Sequence, residues 1–323
     1  MSDVNKVRYV PRQPIEIILN SKRGTEIGTV DGHKRFELEQ EIVARKDEDL
    51  LIYLKKAFIP FSFYCISANQ NNNRFQYTEL QTTGGTSSVT LTIADGNYSI
   101  SELLTDIQTR MDSLSASAGL NFKYTCTYDV NTNKVSFLIA SGDNVSKTTL
   151  NFNTGVFASD SVRRVLGFSD ADVEFTTSAL ATSDLQVDMA DGLDSLHVKS
   201  NLVGDNIQST VGAINGGELL IIPVNLSPFS ILYYEDSNPF KHKLSANSIK
   251  NIEIKFSDNN DNIVDFNSIP YTLILVAEFL FNPDAQVTTN NKRLETPKDQ
   301  LINTEARNKQ LFDMMMKKTE TKK

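Results

Sequence analysis

The 323-residue chain has no tryptophan, only three histidines and only two cysteines. Each scarcity closes off a class of function. Two cysteines, Cys65 and Cys126, are too few for the patterned disulfide framework of a small secreted domain. Both fall on alternating apolar segments and are expected to be buried free thiols, which fits a reducing compartment. His33, His197 and His242 stand far apart in unlike contexts, and no H-E-x-x-H, C-x-x-C or G-x-S-x-G occurs. Zinc sites and nucleophile triads therefore lack their usual components. No catalytic, cofactor-binding or metal residue is assigned, and the chain is not expected to be an enzyme. Without tryptophan, the usual sugar-stacking residue, the aromatic group Phe58, Phe61, Phe63 and Tyr64 reads as core and subunit-interface packing.

Long apolar runs are missing too. None approaches the ~18 residues that cross a bilayer, so no membrane span is expected. Residues 1–6 contain no apolar core of a signal peptide, so none is expected, and the sequons at Asn97, Asn144 and Asn225 read as chance. Positive charge is short: the net charge is -8. Phosphate binding needs concentrated Lys and Arg, so no specific nucleic acid is expected as a partner. The imbalance is local, however. From Asn291 onward there are nine Lys/Arg against five Asp/Glu.

Three motifs resemble ligand sites and lack their essential residues or context. The Gly84-Gly85 segment has no Lys and cannot be a phosphate loop; it reads as a flexible domain junction. Asp129-x-Asn131-x-Asn133 and Asp258-x-Asn260-x-Asn262 begin like calcium loops. They lack the Gly at position six and the Glu at position twelve, and read as hairpin turns. The seven acidic residues between Phe168 and Asp194 have no basic residue among them and read as a solvated return linker.

What the chain has in quantity is β signal. IEIIL (15–19), FELEQEI (36–42), the long run 50–67 broken at Pro60, and FQY (75–77) come first. LHVK (196–199), ELLII (218–222), 229–234, 249–256 and 271–281 follow later, the last expected to be a central strand covered on both faces. Between them lies one helix-bearing cassette. Strand 88–93 leads to a helix capped by Ser99 and Glu102 acting as a capping box. Ile100, Leu103, Leu104, Ile107, Met111 and Leu114 then form one apolar stripe. A hairpin follows, with Phe122, Tyr124, Cys126 and Tyr128 on one arm and Val135, Phe137 and Ile139 on the other. A second, shorter helical signal, VRRVL (162–166), stops at Gly167.

The expected fold is mainly β: a single eight-stranded jelly roll, a β sandwich, with an inserted small α+β domain and a C-terminal helical tail. The jelly roll takes residues 1–85 and 181–290, the insertion 86–180, and a basic, partly helical tail 291–323. In that tail Leu301, Ile302, Leu311, Phe312 and Met315 are candidate contacts with neighbouring subunits. A membrane-surface anchor and a poorly ordered terminus stay open as readings of the same segment.

Four segments in a shared order carry a resemblance. They are AFIPFSFYCIS (57–67) before an Asn-rich turn at 69–73, GNYSISELL (96–104) leading to the hairpin, VLGF (165–168), and LHVKSNLV (196–203) with LLIIPV (219–224). In this order the chain resembles the penton, or minor capsid, proteins of virophages and polinton-like viruses, in the lineage whose major capsid proteins are double jelly rolls. The resemblance implies a structural virion protein. Homopentamers would close the fivefold vertices of an icosahedral capsid, next to major capsid protein trimers and, through the tail, other minor capsid proteins. It implies residence in the virion after assembly in host cytoplasm or nucleus. Another minor capsid protein, or a spike or receptor-binding module, is the second reading.

Overall fold

The structure, a computed structural model, describes residues 10–191, 193–204 and 217–282. The first strands are β1 (Ile15–Asn20), β2 (Thr25–Glu26), β3 (His33–Val43), β4 (Glu48–Pro60), β5 (Arg74–Gln81) and β6 (Thr86–Thr92). Helix α1 (Ile100–Ser117) precedes β7 (Lys123–Asp129), β8 (Lys134–Ser141), β9 (Val145–Leu150), β10 (Val173–Phe175) and β11 (Ala181–Thr182). The rest are β12 (Ser195–Ser200), β13 (Gly217–Pro223), β14 (Ile231–Glu235), β15 (His242–Lys243), β16 (Ser248–Ser257) and β17 (Thr272–Phe281).

These elements bury two separate hydrophobic cores, and the chain visits them in the order first, second, first. The first core runs through Ile17, Ile52 and Phe63, then resumes at Leu193 and continues to Ala277. The second occupies the interval from Ile66 to Ala181. Around the first core lie two antiparallel sheets, β1-β17-β4-β14 with β15 on β4, and β13-β12-β16-β3-β2. Setting aside the two-residue strands β2 and β15, eight remain, four in each sheet. Numbered along the chain, their spatial orders are 1-8-3-6 and 5-4-7-2. Apart from the neighbouring pair β12–β13, every pairing joins strands distant in sequence, the jelly-roll-like arrangement of two interleaved Greek keys. Side chains alternate accordingly: along β4, Leu50, Ile52 and Leu54 point into the core, and Ala57 and Ile59 do so beyond an irregularity in the pairing. Pro60 ends the strand because it has no N–H to give the ladder.

The second core is closed by β10-β9-β5-β6, by β11-β8-β7 and by α1. The helix forms where the sequence predicts. The Ser99 side chain accepts from the Glu102 amide while Glu102 returns a bond to the Ser99 amide, satisfying two donors of the first turn. Leu103, Leu104, Ile107 and Met111 are buried, with Ile100 and Leu114 packed at the margin.

Four expectations need correction. Gly84-Gly85 is not a junction but the tip of the β5–β6 hairpin, with Gln81 N donating to Gly85 O and Gly84 at φ 92. Strand β5, assigned by sequence to the first unit, therefore packs in the second core, and the chain passes between cores near residues 63–66 rather than at 85. The acidic stretch is not a free linker: it contributes β10, β11 and the buried Phe175. Its carboxylates terminate backbone, Asp172 accepting from Asn153 N and Thr154 N, and Asp184 from Ser169 N. The 162–166 segment makes a single helical turn. Phe168 N bonds to Arg163 O and Gly167 N to Arg164 O, with Gly167 at φ 78. That Schellman closure stops propagation after one turn. Finally, β17 is central in its sheet but not covered on both faces, since Leu280 and Phe281 are exposed and Ile274 is only half-buried. The predicted C-terminal helix lies outside the described residues.

A carboxyl sits inside the second core. Glu79 is fully buried, and the Tyr124 hydroxyl donates to its Oε1 at 2.5 Å while sharing a 3.1 Å bond with Thr148. Burial pushes the Glu79 carboxyl up, and hydrogen bonds from Tyr124 and Ser115 offset this only in part. Such a group contributes its full stability below the ordinary carboxylate range and loses it as pH rises through the folded value. Glu79→Gln keeps the neutral shape. It should therefore raise the melting temperature near pH 8 by several degrees, on the order of 1–3 kcal/mol for a poorly compensated buried group, and change little near pH 4. Parallel melting curves for both proteins across that range would show that Glu79 does not titrate in the fold.

Candidate functional site

The outer face of the β1-β17-β4-β14 sheet becomes apolar toward one end. On β14 the residues alternate, so Leu232 points inward while Ile231 and Tyr233 point out. Register sets Tyr233 opposite Phe58 on β4, and Phe58 opposite Thr272 on β17. The Phe58 and Tyr233 rings meet at 5.1 Å. Just before β14, Phe229 is 86% exposed, with Ile231 at 65% and Ile269 at 48%. Together with Pro60 and Pro270 they border a shallow apolar hollow of about 330 Å³. Contiguous exposed apolar surface of this kind marks interaction sites more often than chance, unlike single exposed side chains.

The backbone holds this surface in costly conformations. Phe229 has φ 68, and Asn267 and Ser268 in the facing loop have φ 52 and 62. A bulky residue in the left-handed region is an outlier, costing about 1–3 kcal/mol. The shape is nevertheless pinned. Phe229 N donates to Phe61 O, and Phe61 N to Ser230 O. Across the loop, the buried Asp31 carboxylate accepts from Phe266 N at 2.6 Å and Ser268 N at 2.8 Å. Asn267 Nδ2 donates to Ser62 O. Charged groups flank the apolar end as pairs, Lys56 with Glu235 at 2.8 Å and Lys55 with Glu16 at 2.6 Å.

Of the aromatic group read from sequence, Phe58 and Phe61 line this hollow, and of these only Phe58 is exposed. Phe61 and Phe63 stack at 4.4 Å and are buried, and Tyr64 is half-buried. Phe229, Ile231, Tyr233 and Ile269 join Phe58 there, without a motif that marks them in the sequence. The available signal was that 229–234 is apolar on both faces, whereas a strand in a two-layer sandwich has one face to bury. The five tail residues Leu301, Ile302, Leu311, Phe312 and Met315 lie outside the described residues.

A second, larger cleft of about 580 Å³ lies where the two cores meet. Phe168 and Leu185 share its walls with charged and amide side chains, several of which are bonded to one another. Asp191, buried and at φ 41, is held by Arg164 at 3.1 Å and by Asn72 Nδ2 at 3.2 Å, while Asn260 Nδ2 donates to its carbonyl at 2.8 Å. Burial pushes the Asp191 carboxyl up, opposed by Arg164 and Asn72. Asn69 adds a bond to Ile263 O at 2.5 Å, and Asn262 one to Gln70 at 3.3 Å. The Asn-rich turn is thus a joint between the units. Asp258 spends Oδ1 on Asn260 N and Asn262 N, and Asp129 spends Oδ1 on Asn131 N, as hairpin turns require.

The histidines stay apart. His197 lies between Glu218 at 2.8 Å and Asn259 at 2.7 Å, and His242 is buried against Leu219 O. Both cysteines are free thiols and half-buried rather than buried; burial pushes the Cys126 thiol up. Among the described residues no group of three or more His, Cys, Asp or Glu is placed to hold a metal ion, and no helix is long and apolar enough to cross a membrane.

No family model matches the chain, and no curated protein matches it. Among solved structures, the crystal structure of a selenomethionine-labelled mavirus penton protein is similar at 11% identity. The match covers 83% of this chain and 100% of that one, with a TM-score of 0.45, a distant likeness.

Proposed function

We propose that this chain is a structural virion protein of the penton, or minor capsid, type. In this reading residues from 10 to about 65 and from about 193 to 282 form a single eight-stranded jelly roll. The segment between them is an α+β unit inserted after the third strand. Five copies close a fivefold vertex of an icosahedral capsid, seated among double-jelly-roll major capsid trimers. The tail beyond 291 reaches neighbouring shell proteins through Leu301, Ile302, Leu311, Phe312 and Met315. The protein's work is assembly, with no reaction to catalyse, and its place is the virion.

The observation that carries the reading is Phe229. A phenylalanine that is 86% exposed and held at φ 68 is doubly unfavourable in an isolated chain. Both costs are offset when the ring is buried against a neighbour. Cyclic assembly requires such a patch on each subunit, meeting a different surface of the next. The sequence resemblance and the interleaved sheet order support the same reading. Native mass spectrometry of the purified protein should give five times the 36.0 kDa chain mass. A monomer at all concentrations, or a trimer, would rule the reading out.

A further inference from the structure

We propose that two copies of this chain pair edge to edge through β6, across a twofold axis. β6 is the outer strand of the β10-β9-β5-β6 sheet. Among the described residues, no backbone bond runs along its second edge. Proteins normally blunt such an edge with charge, proline, a bulge or shortness, and the other free edges of this molecule are blunted in those ways. β1 carries Glu16, β14 carries Glu235, and β13 carries Glu218 and ends at Pro223. β7 has Lys123, Asp129 and a register shift, while β2, β10 and β11 span only two or three residues. β6 has none of these devices. Its sequence is Thr-Ser-Ser-Val-Thr-Leu-Thr over seven residues, and its register with β5 runs unbroken from Arg74↔Thr92 to Leu80↔Thr86.

The strand also suits its own copy. Thr86, Ser88, Thr90 and Thr92 are exposed along one face, and Leu91 is buried toward the core. Antiparallel pairing centred on Val89 sets Thr86 opposite Thr92 and Ser88 opposite Thr90, using the full strand. Hydroxyl faces hydroxyl, and each copy keeps its core side on the same side of the joined sheet. The adjoining row is uncharged at Gln76 and Thr78, which bond to the Ser88 hydroxyl at 3.0 and 3.5 Å, and its one charge, Arg74 at the far end, lies over the Phe157 ring. Two molecules of net charge -8 repel over most of their surface, and a charge-free strip is where they can approach. One strand edge falls well below the ~1,200 Å² of a standard stable interface, so the pairing is weak alone and gains strength where several copies are presented together. Because the contact is twofold, it joins copies from different rings and does not depend on ring formation.

Cysteine variants test this directly. Ser88→Cys and Thr90→Cys, alone and as an equal mixture, are treated with a short bis-maleimide, with the unaltered chain as the control for Cys65 and Cys126. The mixture should give a covalent dimer at several times the yield of either variant alone, because Ser88 opposes Thr90 only between copies. Ser88→Lys with Thr90→Lys, both on the exposed face, should abolish concentration-dependent protection of β6 amides in hydrogen exchange while leaving the melting temperature and native mass unchanged. Equal cross-linking in all arms, or protection of β6 that is the same at low and high concentration, would overturn the proposal. The denatured dimer band reads strand pairing whatever the ring size, so this result and the pentamer mass stand or fall separately.

Discussion

Replacing Phe229 and Ile231 together by serine is expected to convert the proposed pentamer to monomers without unfolding the chain. Both side chains project from the sandwich, so the substitutions remove little from its core and should shift the melting temperature of the isolated chain only slightly. In an interface the arithmetic differs. Truncating a central aromatic anchor typically costs 2 kcal/mol or more, about 30-fold in each contact constant, and a ring of five repeats the loss at every contact. Analytical ultracentrifugation at micromolar concentration should show the monomer mass for the variant and the ring for the parent. A variant that keeps the parental mass would exclude this patch from the subunit contact.

The second large effect concerns independence of the two cores. Phe137 is fully buried in the second, with the rings of Phe168 and Phe175 at 5.9 and 6.1 Å. Phe137→Ala should cost about 3–5 kcal/mol through lost burial and the cavity left behind. No buried residue of the first core belongs to the second, so the loss should fall on one unit. Calorimetry should resolve a transition displaced to lower temperature while the remaining one stays in place. Amide exchange should rise in α1 and β7–β9 but not in β16 and β17. A single transition that moves as a whole would mean that the Asp191 joint couples the units into one cooperative fold.

The parts legible in the sequence are those whose cause is local. The Ser99–Glu102 cap and the stripe from Ile100 to Leu114 lie within a few turns of one another, so spacing alone defines α1. Alternation placed Tyr124, Phe137 and Ile139 on strands for the same reason, while Phe122 falls just ahead of β7. The misreadings share a different origin. Whether Gly84-Gly85 turns a hairpin or separates domains depends on which core β5 joins, and its partner on the side away from β6, the strand β9, lies some seventy positions on. The acidic stretch looked solvated because its carboxylates bond to backbone amides of Asn153, Thr154 and Ser169, which composition does not reveal. The apolar surface was harder still. Phe229 belongs to an ordinary-looking apolar run, and only the direction of Leu232 into the core exposes its neighbours. Strain at Phe229 is a backbone fact with no sequence signature, since most residues in the left-handed region are Gly, Asn or Asp.

The hydrogen bond between Asn72 and Asp191 also bears on how the molecule can change over evolutionary time. It holds together the two points where the chain leaves the sandwich and comes back, although about 120 residues separate them. Loop-closure cost grows only slowly with length, and here the two ends are fastened to each other by Asn72 and Asp191 and to the sandwich through Asn260 and Ile263. From the sandwich's side, the excursion behaves as a short connection of fixed span, whatever it contains. The intervening unit is therefore free to be lengthened, exchanged or lost without disturbing strand order. The second core can diverge in this way while the sandwich keeps its geometry.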